Sequence, residues 1–130
     1  MAVGLGATTL ANKWLDMLAG TAFTAPTNTF IKLHTADPGA AGATAAAVGD
    51  ATRKQVTWAA ASAGSKSMTS MASSWTNGGT SETLSHISGW DASTAGNFLF
   101  SAALGSTQAW ASGNTFALTT LTVAFTPIAA

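Results

Sequence analysis

A chain of 130 residues, 47% hydrophobic but only 8% charged, with five basic residues against five acidic, has room for one domain and offers nucleic acid no Lys/Arg cluster beyond the pair Arg53-Lys54. Alanine supplies much of the hydrophobic fraction, so a thin core is expected, and a near-neutral surface of Ser, Thr, Ala and Asn suits a part held in an assembly. The lack of cysteine excludes disulfides and thiolate metal sites, no apolar run reaches membrane-span length, and "MAVGLGATTL" lacks the regions of a secretory signal, so folding is expected in the cytoplasm where the chain is made.

The first predicted element is a helix over residues 7–20. In "TTLANKWLDMLAG", Leu10, Trp14, Met17 and Leu18 recur at helical spacing, with Asn12, Lys13 and Asp16 off that stripe. Thr8 or Thr9 is expected to cap its start and Gly20 to take the left-handed position at its end. The stripe is expected to pack the helix onto a sheet or a partner.

After Pro26 the period changes to two. "TNTFIKLHT" places Thr29, Ile31 and Leu33 on one face and Phe30, Lys32 and His34 on the other, and "ADPG" stops it. Strand character returns in "TRKQVTW", "SMTSMA", "TLSHISGW", "NFLFSAAL" and "TFALTTLTVAFT". In the last of these, Leu121, Val123 and Phe125 face one way and Thr122, Ala124 and Thr126 the other. Turn formers fill "NGGTS", "DASTAGN" and "ASGN" between the runs. Roughly seven or eight short strands after a single helix predict a mainly β, single-domain fold over 1–130: an antiparallel β-sandwich, jelly-roll-like, over 27–126, with one N-terminal α-helix.

Residues 36–51 contain "PGAAGATAAAVGD", whose glycines and missing apolar stripe argue against a helix. The stretch reads as an extended surface loop or arm. Long structureless loops are uncommon unless functional, so the arm is expected to lie on a neighbouring subunit, disordered in the free chain and ordered on assembly.

The order of features, "LAGTAFTAPTNTFIKLHTADPG", "VGDATRKQVTW", "LSHISGWDASTAGNFLFSAAL" and "ASGNTFALTTLTVAF", resembles a family of short tailed-phage virion proteins known as tail fibre proteins. The resemblance covers nearly the whole chain and lies in order and spacing. This sequence differs from the family pattern at His86-Ile87-Ser88-Gly89-Trp90, where the glycine is displaced, and at Ala51-Thr52, where an aromatic residue would precede Arg53. The first change bears on the register of that strand and the second on the anchoring of the loop. The resemblance implies a virion structural protein without catalytic residues, made in the host cytoplasm and located in the particle.

The residues themselves point the same way. No G-x-S-x-G elbow marks a nucleophile, and the two histidines lack carboxylates at ligand spacing, so no catalytic, metal or cofactor site is expected. His86 is expected to be a partly buried strand residue with its ring bonded to a backbone carbonyl. "GLGATT" lacks the preceding strand and "AGSKS" the first glycine of a phosphate loop. The five tryptophans could stack sugars or bases, but without interleaved basic residues they read as core and interface anchors. Asp37 and Asp91 each end a strand, where a carboxylate can accept from a backbone N–H two residues on; contact with a partner's basic residue is the other reading.

Without heptads or repeats, a domain of this size is no long fibre alone. Low charge, an apolar helix face and an Ala/Gly arm favour a capsid decoration protein, with a tail fibre or minor tail protein in host attachment as the alternative. The expected partners are the major capsid protein or a tail platform, and further copies of the chain in a trimer, with neither nucleic acid nor membrane. The candidate interface residues are Trp14, Leu18, Ala40, Ala43, Ala46 and Val48.

Overall fold

The structure is a computed structural model and describes residues 3–126. One helical segment opens the chain: a π-helical turn at Ala7–Ala11, an α-helix at Asn12–Asp16 (α1) and a 3₁₀ turn at Met17–Ala19. Gly20 ends it in the left-handed region, as its position predicts. The start differs from expectation. Gly6 occupies the cap and its carbonyl accepts both the Leu10 and Ala11 N–H groups, while the Thr9 hydroxyl donates to Phe98 O instead of capping. The π turn adds a residue to its turn and the 3₁₀ turn removes part of one, so the stripe drifts out of phase. Leu10 is therefore buried and Trp14 half-buried, but Met17 and Leu18 face solvent.

Eight strands follow among the described residues: β1 (Thr29–His34), β2 (Lys54–Trp58), β3 (Ser65–Met71), β4 (Trp75–Thr76), β5 (Glu82–Trp90), β6 (Phe98–Trp110), β7 (Thr115–Phe116) and β8 (Thr122–Ala124). Six form one antiparallel sheet in the order β6-β5-β1-β2-β3-β8, and β4 pairs with β7 in a two-stranded ribbon. The fold is mainly β, a curled antiparallel sheet with one N-terminal helix. Ile31 and Leu33, on the predicted inner face of β1, are wholly buried. They meet Val56, Leu84, Ile87 and Trp75 in one core, so the ribbon supplies the opposing layer through Trp75 and Phe116.

The run "TFALTTLTVAFT" is two strands rather than one, because β7 belongs to the ribbon and β8 to the main sheet, and residues 117–121 carry the chain between them. Its facing is as read: Leu121 and Val123 pack inward, Thr122 and Ala124 outward. β6 runs well past "NFLFSAAL". Its β5 register shifts between Leu84 and His86, where three β5 positions oppose the six from Ala103 to Gln108.

Residues 36–51 are not an extended arm. The chain folds back on the end of β1, with Thr35 N–H donating to Ala45 O (2.9 Å) and Ala47 N–H to Leu33 O (3.0 Å). Pro38 and Ala47 are fully buried, and Gly42 lies against the Phe98 ring. The far end is held by the Glu82 carboxylate, which accepts from Gly49 N–H (2.9 Å) and Val48 N–H (3.2 Å). Composition suggested an arm disordered in the free chain because backbone hydrogen bonds leave no trace in it. Small side chains are what let this loop lie so close to the sheet.

Candidate interaction surface

A groove of about 770 Å³ opens between the N-terminal helix and the sheet. Leu10 and Trp14 form one wall, Val56 and Trp58 of β2 another, and Phe23 and Pro26 come from the connection between helix and β1. Phe125, just past β8, meets Trp14 edge-on with ring centroids 4.8 Å apart. Among the described residues, the only charged one lining the groove is Lys66, whose ammonium donates to Ala59 O at 2.8 Å. Among the described residues, most exposed large apolar side chains belong to the N-terminal segment (Val3, Leu5, Leu15, Met17 and Leu18) or lie beside Trp14 (Phe125), with Val48 apart on the 36–51 loop. Such a concentration marks an interaction surface, since scattered single residues are the rule elsewhere on proteins.

The candidate interface residues do not come together in one place. Trp14 lines the groove, and Leu18, 87% exposed, stands outside it on the last helical turn. Ala40 and Ala43 are exposed on the loop, Ala46 is half-buried where it bridges to His34, and Val48 is exposed beside the Glu82 anchor. Trp75, Trp90 and Trp110 are core residues, whereas Trp14 and Trp58 are half-buried walls of the groove. Sequence reading missed Phe23 and the pairing of Phe125 with Trp14. One signal was available: from Ala92 onward the chain carries no Asp, Glu, Lys, Arg or His.

A second cluster lies inside the fold. His34 and Ser88 are wholly buried. His34 Nδ1 is 2.8 Å from Thr44 O, which can only accept, so Nδ1 carries the proton. Nε2 then accepts from the Ser88 hydroxyl (2.7 Å), and Ser88 Oγ accepts from Trp90 Nε1–H (2.7 Å). Every polar atom of the chain Trp90, Ser88, His34, Thr44 is thus used, and this Ser/His pair is a buried tie between β5, β1 and the loop. Burial lowers the His34 pKa most; the Thr44 carbonyl opposes this, and the charges of Lys32 and His86 add to the lowering. His86 faces His34 across the β1/β5 ladder, half-buried as expected, but its ring meets the Ser85 hydroxyl (2.8 Å) rather than a backbone carbonyl.

The aspartates divide. Asp37 accepts from Gly39 N–H at 2.8 Å, the turn contact its position predicts. Asp91 reaches further, taking the Asn97 N–H (2.6 Å) and side-chain amide (2.7 Å), and so closes the whole 91–97 loop. At the displaced glycine the register is continuous with β1, where Gly89 sits opposite Ile31, but shifts against β6 between Gly89 and Trp90, and the Phe100 ring lies against Gly89. Among the described residues no group of three His, Asp or Glu side chains could hold a metal ion, and no helix is long and apolar enough to cross a membrane.

The profile of one protein family, described as podophage GP4 fiber I protein gp80, matches residues 6–126. The chain belongs to this family. No curated protein matches the sequence. The matched range takes in the helix, all eight strands and the groove, so the gp80 family match describes the whole fold and not one motif. Its name denotes a phage fibre protein, and a structural role in the virion follows from membership.

Proposed function

We propose that this chain is a non-enzymatic, fibre-type virion protein of a tailed phage, a small subunit carried on the tail that takes part in host attachment. The observation that carries this reading is the gp80 fibre-family match over residues 6–126, which favours the tail over the capsid-decoration reading. The absence of heptads fits a compact knob or collar unit rather than a shaft. Binding is the activity its surface supports: a large, mostly apolar groove and the exposed Leu and Met side chains of the helical segment that walls it fit docking onto a tail platform and onto further copies of the chain. The buried Ser88/His34 pair supports the non-enzymatic reading, since no substrate could reach either side chain.

Antibody labelling of purified particles by electron microscopy, with copy number read from a stained gel, tests the assignment. Label confined to the tail, at a copy number far below that of the major capsid protein, is expected. Label across the shell at capsid-like copy number would restore the decoration reading.

A further inference from the structure

We propose that the groove receives the last helical turn of a second copy of this chain, Leu15 to Leu18. This rests on the assembly reading given above and names the partner for that surface. Three observations converge on it. The groove is large and its exposed lining mostly apolar, with Trp14, Phe23, Val56, Trp58 and Phe125 among its walls, so leaving it in water carries a cost. The same chain displays an apolar knob: Leu15, Met17 and Leu18 are 64%, 53% and 87% exposed.

The charges match as well. Asp16 sits between Leu15 and Met17 on that exposed turn and makes no ion pair among the described residues, whose only salt bridge joins Lys54 and Asp50. Lys66, the single charged residue among the described residues lining the groove, is bound to a carbonyl and, among the described residues, to no carboxylate. An apolar turn carrying one acid therefore meets an apolar groove carrying one base. A second copy of the chain supplies that match, since each copy carries both the groove and the turn. A contact of this type between identical copies is either reciprocal about a two-fold axis or closes into a ring.

The test is made on the isolated full chain, so that its failure is separate from any failure of the tail assignment, which is read on particles. Sedimentation of the wild type over a concentration series is expected to show self-association. Leu18→Asp, at a site too exposed to affect folding, is expected to weaken association by about tenfold or more. Asp16→Lys and Lys66→Glu are each expected to weaken it by about twofold to fivefold, and the double variant to regain most of the loss. Far-UV circular dichroism confirms that each variant is folded. A wild type that stays monomeric at all concentrations, a Leu18→Asp variant that associates like the wild type, or a double variant weaker than either single one would overturn the proposal.

Discussion

The Arg53 guanidinium lies over the Trp90 ring, 3.7 Å from its centroid, and the same group donates to the backbone carbonyls of Ala92 and Ala95. One side chain on the segment leading into β2 thus clamps both the end of β5 and the loop after it. The aromatic residue that the family pattern places before Arg53 is absent here; the 36–51 loop is anchored instead by Glu82 and by its backbone bonds at the end of β1, while Arg53 holds the 91–97 loop. A planar fork can stack and donate at once, whereas an ammonium cannot. Arg53→Lys should therefore lower stability by about 1–2 kcal/mol in a urea titration. It should also expose the 91–97 loop to protease, although Asp91 still closes that loop from within. Unchanged stability and proteolysis would mean that the stacking contributes nothing.

The buried imidazole of His34 makes stability depend on pH in a defined direction. Burial, against the Thr44 hydrogen bond, lowers its pKa from the ordinary 6.5, so the unfolded chain binds the proton more readily than the folded one. The contribution is fully present above pH 6.5 and is lost progressively as pH falls below it. Protonation would place a second donor against Ser88 and a charge beside Lys32 and His86. Denaturant midpoints measured from pH 7.5 down to pH 5 should fall for the wild type, and the slope should flatten in His34→Gln even though that variant is less stable throughout. A parallel fall in both would assign the effect to other groups.

The helix separates two kinds of apolar residue that its sequence presents alike. Leu10 is 6% exposed and packs against the core, so Leu10→Ala should cost about 2–5 kcal/mol. Leu18→Ser should stay within about 0.5 kcal/mol of the wild type. Trp14→Ala should fall between them, losing half-burial and the edge contact with Phe125, the latter about 0.5–1.5 kcal/mol. Equal costs at Leu10 and Leu18 would show that the whole stripe is packed.

Where side-chain pattern decides structure, the fold is legible in the sequence; where backbone geometry decides it, the pattern is silent. The alternation in β1 reports burial because Ile31 and Leu33 face one core, and the helix bounds follow from Gly20. The phase of the helix is lost because a π turn has no residue signature. The ribbon strand β4 is two residues long and cannot show a period. The groove draws Trp14, Phe23, Trp58 and Phe125 from four separate stretches, each unremarkable alone. Only the fold reveals that they converge.

The turn joining β2 to β3 offers a gain in stability. Ser62 and Ser65 exchange both backbone hydrogen bonds at 2.9 Å, and the two residues between them, Ala63 and Gly64, have φ of 46° and 70°. Positive φ at both central positions is the hairpin turn that favours Asn-Gly. Alanine carries a steric penalty there that asparagine largely escapes. Ala63 is exposed, so Ala63→Asn disturbs nothing else and should stabilise the chain by about 0.5–1 kcal/mol, seen as a higher Tm. A lower Tm would argue that the loop adopts another geometry.

The loop between β1 and β2 gives the sharpest contrast between composition and structure. Read as an arm that lies on a neighbouring subunit, residues 40–47 could be removed with the isolated domain still folded, at a loss only of assembly, because loop-closure entropy changes slowly with length. In the fold they supply the Ala45 and Ala47 hydrogen bonds to β1 and the Thr44 carbonyl that holds His34 Nδ1, so deleting them leaves a buried imidazole donor without an acceptor. A point change tests the same idea more gently. Gly42 has φ of 68°, and a Cβ there would collide with the Phe98 ring, which is itself buried. Gly42→Ala therefore combines a strained backbone with overpacking, and about 2–4 kcal/mol of destabilisation is expected. Ala43→Gly, one residue on and exposed, should cost under about 1 kcal/mol. Hydrogen exchange gives the independent reading: the Ala47 amide should be protected in the wild type and lose protection in Gly42→Ala. Fast exchange at Ala47 in the wild type would mean that the loop is free of the sheet after all.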